Sequence, residues 1–453
     1  MKFTIYDLRF TNFAVVLTHV FLVYLTLGAS AQTSFTNLDS KDVYPIDLPT
    51  ALQLAGAQNL DIKIAREKLA EARADHESAV AQFFPWISPG ITYRRHDNLI
   101  QDVGGNIIEV HKQSYAPGGT IGAQLDIGDA IYKSLAAKQL ISAADHALES
   151  QRQDSTLAAA HGYFDLTLAQ AAVDVAREAV GISADYEKQI QNAVEAGIAY
   201  KGDQLRAKVQ LERNQLALRQ AAEHQRIVAA RLAQTLHLDP VVAMIARDAD
   251  LVPLTLIQTN AALDSLVQQT FASRPELKQS QSLVTAARET KNGAVYGPMI
   301  PALGAQAFAG GLGGGKDGSP DKFGEQEDYF VGLSWRIGPG GLFDFGRIHS
   351  SDSRLKVAQI TVDKVRDDII RQVVEAFTRW QSLSDQIGTA KRGLIAAEEG
   401  LRLTRARKEF AVGIVLENIQ AEQDLTRARL DYFKTVAEFN KAQYALNKAI
   451  GKL

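Results

Sequence analysis

Only a few residues have types and spacings that could do chemistry. Gly310-x-x-x-x-Gly315-Lys316 has the glycines and the lysine of a phosphate-binding loop, in which backbone N–H groups cradle phosphates and the ammonium neutralises them. Asp317 stands where that loop needs a Ser or Thr, and Gly318-Ser319-Pro320 denies it the following helix. The segment is therefore expected to be a flexible surface loop. Nine His residues include no HExxH pair, and lone ones such as His161 and His224 read as packed or solvated side chains rather than ligands. The absence of Cys removes disulfides, thiolate metal sites and a lipid-bearing N-terminal Cys. No nucleophile, base and orienter come together by spacing, so no catalytic residue, metal or cofactor is expected, and the chain reads as no enzyme. Two carboxylates remain, Asp203 and Glu417, each a few residues beyond a glycine-centred turn. They either draw cations to an opening or meet the positive end of a helix, and both readings stand at this point.

The elements that would position them come in two kinds. Tyr329, Val331, Leu333, Trp335 and Ile337 alternate with Phe330, Gly332, Ser334 and Arg336, the period of a strand with one apolar face. Ile121, Ala123, Leu125 and Ile127 repeat the pattern upstream, and Leu125-Asp126-Ile127-Gly128 matches Phe343-Asp344-Phe345-Gly346. After each junction comes a long stretch without proline, expected as helix over about 130–195 and 348–410. These end at Ala196-Gly197-Ile198-Ala199 and Val412-Gly413-Ile414-Val415, where a further helix turns back. The last helix carries Leu425, Ala428, Tyr432, Thr435, Phe439, Ala442, Leu446, Ala449 and Leu453 in strict 3-4 spacing, a coiled-coil seam. A second row, Leu430, Phe433, Ala437 and Tyr444, predicts neighbours on two sides.

An internal repeat organises all of this at an offset near 215 residues. AQNLDI (57–62) matches ASRPEL (272–277), and Phe84-Pro85 matches Ile300-Pro301. Residues 1–31 form a secretory signal peptide, with Lys2 and Arg9, an apolar run over 14–27 and Ala29-Ser30-Ala31 before Gln32. The first repeat covers 32–236, with an opening helix over 48–81, a strand pair over 86–127 and a tip at 196–203. A non-helical connector, 237–259, follows. The second repeat covers 260–453, with a helix over 261–294, a strand pair over 302–337 and a tip at 411–418. Asp47 and Asn260 are the expected N-caps. Asp97 to Gly119 and Gly310 to Glu327, rich in Gly, Asp, Asn and Pro, are expected as exposed loops.

A net charge of -3 leaves no basic footprint for nucleic acid, and no mature apolar run is long enough for a spanning helix. Four strands per chain cannot close a barrel, and an open edge in hydrocarbon leaves backbone groups unsatisfied. Closure must come from further copies of the chain through one repeated heterologous contact. Three copies supply about twelve strands, within the range of bacterial barrels. A helix of about 65 residues reaches about 95–100 Å, much of a periplasm.

Taken in order and twice over, these features resemble the TolC-type outer-membrane efflux proteins: signal peptide, duplication, proline-opened strand pairs, the Leu/Phe-Asp-x-Gly junction and the glycine tip followed by Asp203-x-Leu205-x-Ala207. The resemblance implies a mainly α fold with a smaller β part. Its long helices would form a periplasmic α-barrel, and four strands per chain would enter a 12-stranded trimeric β-barrel in the outer membrane lipid of a Gram-negative-type cell. It implies a homotrimer that conducts substrates passively from an inner-membrane transporter and a periplasmic adaptor to the exterior, in efflux or type I secretion. Gly197, Ile198 and Ala199 with Val412, Gly413, Ile414 and Val415 map to the adaptor-docking tips, and Asp203 and Glu417 to the aperture. Tyr329, Val331, Leu333 and Trp335 map to the membrane. The second tip departs from the pattern, because Gly413 to Ala421 is shorter than Gly197 to Ala207. A structural coiled-coil surface protein and a free-standing porin are the alternatives; neither accounts for both the strands and the length of the helices.

Overall fold

The computed structural model describes residues 43–84, 86–91, 98–110, 112–247, 251–257, 262–316, 322–409 and 415–453. Strand β1 (Val43–Ile46) leads to Asp47, whose carboxylate accepts from the Thr50 N–H at 2.9 Å. That cap opens α1 (Leu48–Gln58). The single opening helix expected over 48–81 is broken: Asn59 leaves helical geometry and caps α2 (Leu60–Ala81) through its Oδ1. The second copy breaks at the matching residue, Arg274, between α5 (Leu263–Ser273) and α6 (Pro275–Tyr296). The expected cap Asn260 lies outside the described residues.

Both breaks perform the same task, although at Arg274 the following Pro275 also disfavours helical geometry. The Asn59 Nδ2 donates to the carbonyl of Thr235, the last residue of α4 (Lys201–Thr235), at 3.0 Å. The Arg274 Nη1 donates to the carbonyls of Lys448 and Ala449, the last residues of α8 (Val415–Ala449), at 3.0 and 3.3 Å. At each break a polar side chain satisfies terminal carbonyls that a returning helix cannot bond itself. The AQNLDI/ASRPEL match thus marks helix breaks with a shared task.

Two helices are far longer than the other described elements. Helix α3 (Ile127–Glu195) and α7 (Phe345–Glu409) have 69 and 65 residues, about 100 Å each. Helix α3 packs on α4 and α8, and α8 packs on α7. Phe439, Ala442, Leu446 and Ala449 of the α8 seam pack with Val373 and Trp380 of α7, whereas Val436, Ala437 and Tyr444 pack with Tyr163, Phe164 and Leu166 of α3. The two rows on α8 do meet two neighbours. Register between α3 and α8 is set by cations on α8: Lys448 bonds Asp154, Lys441 bonds Asp165, and Arg429 bonds Glu178 at 2.5 Å. The connector adds β7 (Ala243–Ala246), parallel to β1. Beyond it, residues 252–256 are held as a strand would be, by amides instead of a ladder: Asn440 and Gln443 of α8 each donate to and accept from its backbone at 2.7–2.9 Å.

The remaining strands are β2 (Trp86–Ile91), the hairpin β3 (Asn98–Gln101) and β4 (Ile107–Val110), β5 (Lys112–Tyr115), β6 (Gly118–Leu125), β8 (Ala302–Lys316) and β9 (Lys322–Ser334). β6 pairs with β2 and β8, and β8 with β9, all antiparallel. β5 continues the β6 register along β8. One sheet of five strands results, four strands across because β5 and β6 lie end to end along β8. The loops expected over 97–119 and 310–327 are corrected here, since their described residues are largely strand. Gly310 to Lys316 is strand and not a flexible loop: Gly310–Gly314 pairs with β9, Gly310 also with β6, and Gly313–Lys316 with β5. Glycine misled as a turn signal, because in a strand it also marks close approach. A Cβ at Gly118 or Gly311 would fall 2.5 Å from the Phe308 ring or 2.1 Å from the Phe323 ring.

Candidate functional site

Two regions carry the site, the sheet and the helical tip. Across the sheet, Ile121, Ala123 and Leu125 lie beside Ala307, Ala305 and Leu303, and these beside Tyr329, Val331 and Leu333. That face is apolar from strand to strand, and Val331 is 72% exposed on it. The opposite face carries Ser88, Thr120, Gln124, Gln306, Asp328 and Ser334, with Phe308 and Phe330 as its large rings. Sheets with a wet and a dry face are the unit of a membrane barrel. Trp335 lies one residue past the end of β9, its Nε1 donating to the Met299 carbonyl at 3.2 Å. Among the described residues neither β2 nor β9 has a second partner.

Strand passes to helix at the two Leu/Phe-Asp-x-Gly junctions, which differ inside. Asp344 accepts from the Gly340 and Arg347 N–H groups at 2.8 and 3.0 Å, whereas Asp126 makes no cap bond. Gly128 is needed for closeness, because a Cβ there would sit 2.1 Å from the Gly297 carbonyl oxygen, yet at Gly346 the nearest atom is 3.6 Å away.

At the far end, α3 closes on a Schellman turn: Gly197 at φ 73 donates to the Val194 carbonyl and Ile198 to the Ala193 carbonyl at 2.8 Å. Gly197 is therefore required by its backbone. Ile198 is 82% exposed and Tyr200 76% exposed among the described residues, while Ala199 is half-buried. Val415 turns inward and packs on a cluster of Tyr186, Ile190, Ala207 and Ile419. Val412, Gly413 and Ile414 lie outside the described residues. Asp203, third residue of α4, pairs with Arg206 at 3.0 Å, and Glu417 with Arg407 at 3.3 Å. Each carboxylate thus has a cation of its own chain beside it.

Sequence reasoning missed a polar layer just above. Asn418, buried, donates through Nδ2 to the Oε1 of buried Glu422 at 2.9 Å. Gln423 donates to Gln210, Gln210 to Asn214, and Asn214 to the Ser183 hydroxyl at 2.8–3.1 Å. Burial first, then the carboxylates of Glu422 and Asp203, push the Tyr186 hydroxyl up to about 12. A signal existed: stepping the α8 seam back from Leu425 by three and then four residues lands on Glu422 and Asn418. Among the described residues no three His, Cys, Asp or Glu side chains gather as a metal site, and no helix is long and apolar enough to cross a membrane.

Known proteins share this sequence pattern and fold. The model of the outer membrane efflux protein family matches residues 51–236 and 266–452. The chain belongs to that family. It is an efflux channel of the Gram-negative outer membrane, with a large periplasmic helical part. No curated protein matches it in sequence. Solved structures with the same fold include the CmeC outer membrane channel of Campylobacter jejuni, at 14% identity and TM-score 0.74 over 89% of this chain and 85% of that one. VceC of Vibrio cholerae matches at 15% and 0.71 over 89% and 96%. The open state of MtrE of Neisseria gonorrhoeae matches at 17% and 0.70 over 89% and 88%. At these identities the likeness is one of fold. The efflux protein is mainly helical with a smaller sheet, as expected.

Proposed function

We propose that three copies of this chain close a 12-stranded barrel in the outer membrane, continued by a periplasmic α-barrel, through which substrates pass passively to the exterior. The single observation that carries this reading is the sheet, four strands across, with one apolar face and, among the described residues, no second partner for its edge strands β2 and β9. Lipid offers no partner for backbone N–H and C=O groups, so β9 of one copy is satisfied by β2 of the next. The helices support the same heterologous contact. On α4, Leu205, Val209 and Leu216 are exposed, and on α7, Val357, Ile360 and Ile395. These apolar stripes flank the α3–α8 centre, as β2 and β9 flank the sheet.

Energy for export is supplied from the inner membrane, by a transporter reached through a periplasmic adaptor (membrane fusion) protein, in an efflux or type I secretion assembly. Gly197, Ile198 and Ala199, with Val412, Gly413 and Ile414, form the adaptor-facing tips, and Val415 anchors the second tip on the cluster behind it; the exposure of Ile198 supports this. Asp203 and Glu417 line the aperture, each tempered by its arginine. Tyr329, Val331, Leu333 and Trp335 face lipid. Native mass spectrometry of the purified protein is the test, with three chains expected. A monomer that conducts in planar bilayers would sink the reading.

A further inference from the structure

The apolar face of β9 is too short for the membrane it enters. From Tyr329 to Trp335 it rises about 20 Å along the strand, and strand tilt shortens that further, against an apolar band of about 25 Å in outer-membrane barrels. It cannot grow outward, because Glu327 and Glu325 follow on the same face. Inward, the strand stops, yet exposed apolar side chains continue: Met299, Ile337, Phe343 and Phe345 are all more than half exposed. Met299 sits under Trp335, whose indole N–H is taken by its carbonyl. Ile337 bridges Leu342, and the Phe343 and Phe345 rings stand 6.5 Å apart.

Phe343 adds an independent observation. Its φ is 65, a left-handed conformation that crowds the Cβ of a bulky residue. Such strain persists only where the surroundings impose it, and here the turn does: Gly338 and Gly340 take φ 98 and 77, the Gly338 N–H donates to the Leu342 carbonyl at 2.8 Å, and the Leu342 N–H to the Arg336 carbonyl at 2.8 Å. The outcome is a ring 69% exposed among the described residues. Past Phe345 the surface changes at once, to Arg347, His349, Asp352 and Arg354.

We infer that Met299, Ile337, Phe343 and Phe345 form a lipid-contacting collar that completes the apolar band on the periplasmic side, with the membrane boundary falling between Phe345 and His349. The occupant is lipid at the junction of acyl chains and headgroups, because the collar continues the apolar sheet face and ends where charge begins. This rests on reading the sheet as the membrane-spanning part.

The absence of Cys makes single spin labels unambiguous. Leu333→Cys, Phe343→Cys, Phe345→Cys and His349→Cys, each in the full chain, would be labelled and reconstituted in phosphatidylethanolamine/phosphatidylglycerol vesicles. Collision with oxygen, which concentrates in lipid, is compared with collision with a water-soluble nickel chelate. Labels at 343 and 345 are expected to favour oxygen, as at 333, and the order should reverse at 349, about 6 Å further along α7. Nickel-favoured collision at both 343 and 345 would overturn the collar, and so would protection from both reagents, which would place these residues against a second copy of the chain. Nickel-favoured collision at 333 would instead overturn the membrane reading of the sheet. If Phe343→Cys fails to fold, 345 against 349 still decides.

Discussion

Arg274 joins the second repeat's helix break to the end of the chain, and replacing it by Met should be among the most damaging single changes in the helical body. Its side chain is 2% exposed. It donates to Gln372 Oε1 at 2.8 Å and to the carbonyls of Lys448 and Ala449, and its Nε lies 2.9 Å from Glu276 Oε2, in ion-pair range though poorly aligned for a hydrogen bond. Met fills much of the space but removes the partner of Glu276, whose side chain is only 24% exposed. Lys448 O would keep the Gly451 N–H as a partner; the Ala449 carbonyl would lose the Arg274 donor. Removing one member of a buried pair costs about 3–5 kcal/mol, and hydrogen bonds to charged groups contribute about 1.5–3 kcal/mol each, so about 4 kcal/mol is expected. With an unfolding entropy of about 2.1 cal/mol/K per residue, that is a fall of roughly 4 °C in the midpoint for cooperative unfolding of the whole chain. Far-ultraviolet circular dichroism of the detergent-solubilised protein measures it. Adding Glu276→Gln should recover part of the loss, since the two residues couple. A midpoint within about 1 °C of wild type for Arg274→Met would refute the reasoning and make Arg274 a bystander at the break.

The other predictions follow from single features. Leu333→Arg should lower assembled protein in the outer membrane, at a cost of about 2–4 kcal/mol if near the midplane, whereas Ser334→Arg on the opposite face should be tolerated; membrane fractionation reads both, and the reverse order would swap the faces. Gly128→Ala should destabilise by about 1–3 kcal/mol, as overpacking does, because its Cβ would overlap the Gly297 carbonyl, while Gly346→Ala should be near neutral; equal midpoints for the two would refute the close-approach argument. In single-channel recordings Asp203→Asn with Glu417→Gln should lower cation preference, and Arg206→Gln with Arg407→Gln should raise it; no change in either would place these groups outside the duct. Bonds from Lys291 and Lys356 hold the Asp352 carboxyl down to about 2 from an ordinary 3.8. Its contribution is therefore present above about pH 4 and lost as pH falls toward 2, so an acid-unfolding profile should be shallower over that interval in Asp352→Asn, and an unchanged profile would show that the bridge adds nothing.

Local pattern was enough for the elements whose cause is local. Alternation from Tyr329 marks a strand with one dry face because successive side chains point oppositely, though it runs on to Ile337 past the end of β9 at Ser334, and the 3-4 rows of α8 mark two packed faces because a helix has a fixed period. The repeat match, the Asp47 cap and the turn at Gly197 were legible for the same reason, each being set by a handful of neighbouring residues. Where the chain closes on distant partners, the sequence was silent. Gly310 to Lys316 reads as a loop in isolation and is a strand only because β5, β6 and β9 pair with it. Asn59 looks like a helix-interior polar residue until the end of α4 arrives to accept from it, and Pro275 marks the break at Arg274 but not the α8 carbonyls that Arg274 reaches. Gly128 and Gly346 occupy matching motifs, but only the tertiary approach of Gly297 makes one of them indispensable. The arginines beside Asp203 and Glu417 divide in the same way: Arg206 sits one turn along its own helix and was readable, whereas Arg407 reaches Glu417 from another helix. Periodicity records which face of an element is dry; what that face, or a polar residue within it, finally meets is decided by contacts between residues up to 294 positions apart, as Asp154 and Lys448 are.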